Sequence, residues 1–200
     1  SRGATTTARA GTFTAQPRAT GSRRRLRRNA KGGPRSSARS SAARGGASEV
    51  LCVDSSAPAL DLLQRSAAAN GLANVRTERA DAFEALAALR AAGEKFDVVI
   101  IDPPAFIKRR KDAPKGQAAY RKLNQFAMQL LSRDGILVSC SCSHHLAQDD
   151  LIDAIQQAAR HLGRFVQIVE VGGHAPDHPI HPAIPETRYL KALVCRVVQD

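Results

Sequence analysis

Residues 96–106 read FDVVIIDPPAF, a nearly unbroken apolar run that ends on Asp102 and two prolines. A strand this apolar has no polar face to offer water, so it is expected in a parallel sheet covered on both faces. Pro103 and Pro104 fix the backbone in an extended path and remove two N–H donors. The strand exit becomes a stiff lip that holds Asp102 at the sheet edge. The same residues would also make a plain rigid turn.

The pattern around this stretch repeats. Upstream, VLCVD (50–54) reads as a strand, followed by a helix marked by Pro58, Leu60, Leu63 and Ala67 and stopped at Gly71. A short strand, VRT (75–77), precedes Asp81 and Glu84, a capping-box pattern that opens a helix ended by Gly93. Downstream, Tyr120, Leu123, Ala127 and Leu130 mark a helix, ILVSCSC (136–142) a strand, and Leu151, Ile155, Ala159 and Leu162 a helix closed by Gly163. FVQIVEV (165–171) and YLKALVCRVV (189–198) follow with no helix between them, so they are expected to pair antiparallel. Strands alternating with helices imply an α/β fold, a mostly parallel sheet with helices on both faces and a C-terminal antiparallel hairpin.

In such sheets ligands bind beyond the carboxyl ends of the strands. Asp54, Asp81, Asp102 and Cys142 all fall at or just after that end. Asp54 is placed to accept hydrogen bonds from the ribose of a nucleoside cofactor, or to act as a helix N-cap. Asp81, with Glu84 three residues on, reads first as a cap. Cys140 and Cys142 share one face of their strand, about 6.5 Å apart. Cys140 lies further inside and reads as a buried free thiol. Cys142 sits at the exit, where a partly exposed thiol can ionise and act as a nucleophile. His174, His178 and His181 lie in a proline-rich loop without convergent ligand geometry, and no metal is expected. That loop reads as a cover over the rim, with His178 shaping a substrate pocket.

Charge divides the chain. Residues 1–48 carry twelve Arg or Lys and no acid, while residues 49–200 carry eighteen of each sign. The formal charge of +12 therefore belongs to the first segment, whose scarcity of large apolar residues predicts disorder. Residues 49–200 form the second expected unit, a catalytic domain. The segment 1–48 reads as an RNA-binding arm, a transit peptide, or an out-of-frame translation. No run reaches the ~18 apolar residues of a membrane span, and four scattered cysteines suit reduced thiols in a cytoplasmic protein.

VLCVDSS, DPPAFIKRRK, GILVSCSCSHH and DHPIHPAIPETRYLKALVCRV, in this order, resemble the bacterial S-adenosylmethionine-dependent methyltransferases that make 5-methylcytosine in large-subunit ribosomal RNA. The likeness covers the catalytic domain only, about residues 46–200; family members usually carry a PUA-type RNA-binding domain ahead of it. It implies a class I, Rossmann-like methyltransferase fold and S-adenosyl-L-methionine as cofactor, with ribosomal RNA as partner. It also implies that Asp54 binds the cofactor's ribose, that Asp81 lies beside its adenine, and that Asp102 and Pro103 border cofactor and target base. Pro104, Phe106 and His178 would line the substrate side. Cys142 would be the nucleophile and Asp102 the group that steadies the base.

A thiol is what this chemistry asks for. C5 of cytosine is a poor nucleophile until a thiolate adds to C6 and makes the ring enamine-like. Related enzymes that methylate exocyclic nitrogens keep the Asp-Pro-Pro lip and need no thiol. The family's usual first strand, with its glycine-rich turn, is missing from this sequence, and AGTFTA (10–15) is the one faint strand candidate ahead of VLCVD. The first strand of the fold belongs in mid-sheet, so its loss is expected to leave a gap there. Residues 1 to about 44 read as a replaced or out-of-frame start, which opens the alternative of an inactive remnant that retains only nonspecific RNA binding.

Overall fold

In a computed structural model the chain is described at residues 12–16, as backbone, and at 47–199. The expectation of disorder for residues 1–48 thus falls outside the described residues, except at 12–16, 47 and 48. The strands are β1 (Thr12–Gln16), β2 (Val50–Asp54), β3 (Val75–Arg79), β4 (Phe96–Asp102), β5 (Leu131–Ser141), β6 (Arg164–Gly172) and β7 (Lys191–Gln199). They form one sheet in the order β3-β2-β1-β4-β5-β7-β6. Helices α1 (Ala57–Ala69), α2 (Ala82–Ala91), α3 (Ala113–Gln129) and α4 (Gln148–His161) follow β2, β3, β4 and β5.

β2 runs parallel to β3, and β4 to β5. β6 and β7 form the expected antiparallel hairpin, and β7 is also antiparallel to β5. The mid-sheet position, expected to be a gap, is filled. β1 lies there, antiparallel to both β2 and β4, with Thr12 opposite Asp102 and Phe13 opposite Val53. The parallel first strand of the expected fold is therefore replaced by one that runs the other way. Its amino end, not its carboxyl end, meets the rim where β2 and β4 finish.

Alternate residues of β2 feed two cores. Val50 and Cys52 pack with Leu63 of α1, while Leu51 and Val53 join the larger cluster with α2, α3 and α4. β4 departs from the reading of full burial on both faces. Val99 and Ile101 are buried, whereas Val98 and Ile100, on the opposite face, are half-buried. β5 and β7 show the same alternation, Leu137, Leu193 and Cys195 being buried and Val138, Ala192 and Val194 half-buried. The predicted helix stops hold: Gly71, Gly93 and Gly163 take positive φ, which side chains with a Cβ adopt at a cost.

α3 begins seven residues before Tyr120, with Pro114 in its first turn, where the missing N–H has no helical partner to lose. Gly116 lies against Ile107, and a Cβ there would run into the Ile107 side chain. This close approach seats the segment after the Asp-Pro-Pro lip directly on α3.

Candidate active site

Asp54 closes β2 and is almost fully buried. Its Oδ1 accepts the Ser56 N–H at 2.9 Å, and Ser56 in turn caps α1. The Asp54 carboxylate is thereby fixed at the rim, and an acidic oxygen there suits a ribose diol. Asp81 is the N-cap of α2, its Oδ1 accepting from Phe83 N at 2.8 Å and Glu84 N at 3.4 Å. Both carboxylates are held by bonds to residues two or three positions further along. This pair of acceptor carboxylates suits the hydroxyl and amino donors of the adenosine part of a nucleoside cofactor. The reversed β1, however, does not leave the rim through a strand-to-helix turn.

The β4–β5 half is built from distant parts of the chain. Asp102 ends β4 exposed, Pro103 is buried, and Pro104 and Phe106 are half-buried. The Phe106 ring packs edge-on against Tyr120 at 4.9 Å and stacks near Phe83 at 6.4 Å, so it supports the lip from behind. Cys142 follows the last residue of β5 and is half-buried. Its Sγ lies 3.9 Å from the Pro103 carbonyl oxygen, across 39 residues of sequence. The thiol thus stands against the Asp-Pro-Pro lip.

The two cysteines are less alike in chemistry than in exposure. Both are half-buried, so Cys140 is not the sealed core thiol the sequence suggests. The serines take that place: Ser139, Ser141 and Ser143 are fully buried. Burial, followed by the neighbouring Asp102 and Cys142, nevertheless pushes the Cys140 thiol up to about 12. Cys140 therefore stays protonated near neutral pH and is a poor nucleophile.

A buried hydroxyl network aims the strand exit. The Tyr120 hydroxyl shares hydrogen bonds with Ser141 Oγ at 2.8 Å and Ser143 Oγ at 2.9 Å. Ser143 N donates to Ser141 Oγ at 3.1 Å, and Ile107 N donates to Ser143 Oγ at 3.3 Å. With Ser141 and Ser143 turned inward, the residue between them must face the other way. Burial raises the Tyr120 phenol above its ordinary value, partly offset by the two serines, so it remains a neutral hydroxyl.

Lys191 is the residue that sequence reasoning missed. It is buried at the start of β7, and its Nζ donates to the carbonyls of Ser143 at 2.7 Å and Leu146 at 2.6 Å. Burial lowers the ammonium's affinity for its proton, while Cys142 and then Asp150 act in the opposite sense. A buried cation beside the thiol favours the thiolate. The available signal was a lysine inside the apolar run YLKALVCRVV.

His178 is exposed, and its Nδ1 lies 3.3 Å from the Tyr189 hydroxyl. This contact ties the proline-rich loop to the residues leading into Lys191. His174 Nε2 accepts the Leu190 N–H at 3.0 Å. Among the described residues no three His, Cys, Asp or Glu side chains gather as a metal site, and no helix is long and apolar enough to cross a membrane.

Fold and rim together define a Rossmann-like α/β domain whose candidate site residues, Asp54, Asp81, Asp102 and Cys142, lie at or just beyond the carboxyl ends of its strands. A family model described as "Methyltransferase domain" matches residues 37–186, and the chain belongs to that family. It is 39% identical over 160 residues to the ribosomal RNA large subunit methyltransferase I of Serratia proteamaculans, and 41% over 157 residues to that of Aeromonas salmonicida. These matches take in 79% and 78% of this chain but 40% of each relative. Among solved structures, SMU.776 complexed with SAH aligns with a TM-score of 0.67 at 21% identity, covering 80% of this chain and 43% of that one. NSun6 from Pyrococcus horikoshii with SFG aligns with a TM-score of 0.58 at 18% identity, covering 80% and 45%. At these identities the structural likenesses speak for the fold.

Proposed function

We propose that this domain transfers a methyl group from S-adenosylmethionine to C5 of a cytosine in large-subunit ribosomal RNA, with Cys142 as the nucleophile. The relatives' names support the substrate class, and the rim supports the chemistry. The observation that carries the reading is the contrast between the two thiols. Cys142 stands against the lip beside a buried ammonium, while Cys140 is kept protonated by burial and by Asp102.

In this reading Asp54 accepts from the cofactor's ribose and Asp81 lies beside its adenine. Pro103 borders both cofactor and base, and Pro104, Phe106 and His178 shape the substrate side. When bound, the cofactor supplies an electrophilic methyl group to C5. Cys142 loses its proton and forms a bond to C6, so the electron pair of the C5–C6 bond becomes available at C5. Lys191 favours the thiolate and holds the Ser143–Leu146 turn in place. Asp102 hydrogen-bonds the cytosine edge and steadies the adduct. Loss of the C5 proton to a base then expels the thiolate and restores the ring. The target base reaches this lip only when unstacked from its RNA.

The test is adduct trapping on RNA carrying 5-fluorocytosine, where fluorine replaces the proton that must leave. The expected result is an adduct with the unaltered chain and with Cys140→Ala, and none with Cys142→Ala. Adduct lost with Cys140→Ala alone would reverse the assignment. Methylation that persists without either thiol would favour transfer to an exocyclic nitrogen.

One observation favours the inactive-remnant reading: β1 meets the rim by its amino end, where a glycine-rich turn would otherwise cradle the cofactor's methionine part. Calorimetric titration with S-adenosylmethionine separates the two. Measurable binding supports the enzyme, and silence supports the remnant.

A further inference from the structure

The lip is followed at once by the densest charge in the described domain. Lys108, Arg109, Arg110, Lys111 and Lys115 surround one acid, Asp112, in a domain whose charges balance only as a whole. Lys108 to Lys111 are all exposed, as is Lys115. Arg109 Nε pairs with Asp112 Oδ2 at 3.0 Å, and Arg109, Lys111 and Lys115 all hold the Asp112 carboxyl below its ordinary range. That leaves an excess of positive charge on Lys108, Arg110 and Lys111, for which no salt bridge is found among the described residues.

The cluster is anchored rather than loose. Ile107, directly before it, is buried against Gly116 of α3, and its N–H is bound to Ser143 Oγ next to Cys142. The 3₁₀ turn Arg110–Asp112 then leads straight into α3, whose amino-terminal dipole adds to the positive potential. Four residues span at most about 14 Å, so these cations stand beside the lip and not across the molecule. A charge run is often a solvated face; here its backbone is pinned to the same serine that orients the thiol.

We infer that Lys108, Arg110 and Lys111 form a phosphate-binding ledge that grips the backbone of the substrate RNA beside the Asp102–Pro103–Pro104 lip. The inference rests on the proposal that the substrate is RNA, and it assigns the place where nucleotides flanking the target base are held. Each cation that neutralises a phosphate releases counterions and contributes about 0.7 to 0.9 to the salt slope of binding.

The experiment measures the affinity of the full chain for a fluorescent RNA hairpin across a series of salt concentrations, the basic segment being retained in every variant. Lys108→Gln, Arg110→Gln and Lys111→Gln are combined in one variant. Arg65→Gln, Arg133→Gln and Arg160→Gln, exposed cations elsewhere on the domain, form a control of equal charge. Thermal unfolding verifies that both are folded. The slope of log affinity against log salt is expected to fall by about 2 to 3 in the ledge variant and by less than about 1 in the control. A charge-keeping Arg110→Lys variant should retain the parent slope. Equal slopes in the two triple variants would overturn the ledge while leaving RNA as the substrate. An unaltered chain with no salt-dependent affinity for RNA would overturn the substrate reading, and the ledge with it.

Discussion

The two halves of the rim do similar work with different materials. On the β2–β3 side, Asp54 and Asp81 are held by backbone N–H groups two or three residues further on. On the β4–β5 side, contacts cross long stretches of chain: Cys142 to Pro103, Ile107 to Ser143, Tyr120 to Ser141 and Ser143, Lys191 to Ser143 and Leu146. A locally capped carboxylate forms wherever its helix forms. A thiol aimed by four separate segments exists only when the whole sheet has closed. The first half can therefore survive rearrangement of the sheet centre, whereas the second is sensitive to any change that loosens β4, β5, α3 or β7.

The sharpest way to separate the halves is chemical labelling of the thiols. With a folded pKa of about 12, Cys140 has about one part in ten thousand as thiolate at pH 8. Alkylation at that pH should mark Cys142 well ahead of Cys140, as read by peptide mass spectrometry. Lys191→Met should slow labelling of Cys142, because the buried positive charge that interacts with it is gone. Equal labelling of the two cysteines would erase the chemical distinction between them.

A smaller effect is expected from Tyr120→Phe. It removes one hydroxyl from a buried network and leaves Ser141 and Ser143 each short of a partner, costing about 1 to 2 kcal/mol in denaturant unfolding. Labelling selectivity should fall along with stability, because Ser141 and Ser143 set which way Cys142 faces. The smallest change belongs to the local half. Asp81→Ala removes an N-cap, worth about 1 kcal/mol, and should leave the thiol reactivity unaltered. If Asp81→Ala disturbed Cys142 as much as Tyr120→Phe does, the two halves would be a single cooperative unit.

How much was legible follows the same division. The strand–helix alternation, the stops at Gly71, Gly93 and Gly163, the cap at Asp81 and the C-terminal hairpin are all set by residues close in sequence, and all are present. The half-burial of Val98 and Ile100 was not legible, because it depends on what covers that face of the sheet. Nor was the inward turn of Ser139, Ser141 and Ser143. Composition alone would bury the cysteines and expose the serines, but Tyr120, buried with its hydroxyl, requires polar partners on that side. The direction of β1 escaped for a further reason: a five-residue strand such as TFTAQ carries no mark of which way it will be laid between its neighbours.

By itself the sequence determined the order of elements, the rim on which Asp54, Asp81, Asp102 and Cys142 fall, and the stiffness of the lip, because periodicity, capping and proline geometry act within a few residues. Tertiary structure alone brought the Cys142 thiol to 3.9 Å from the Pro103 carbonyl, placed Lys191 where it interacts with that thiol, and laid β1 antiparallel. Each of those depends on burial and on bonds between segments far apart in the chain, which exist only once the sheet and its helices have packed.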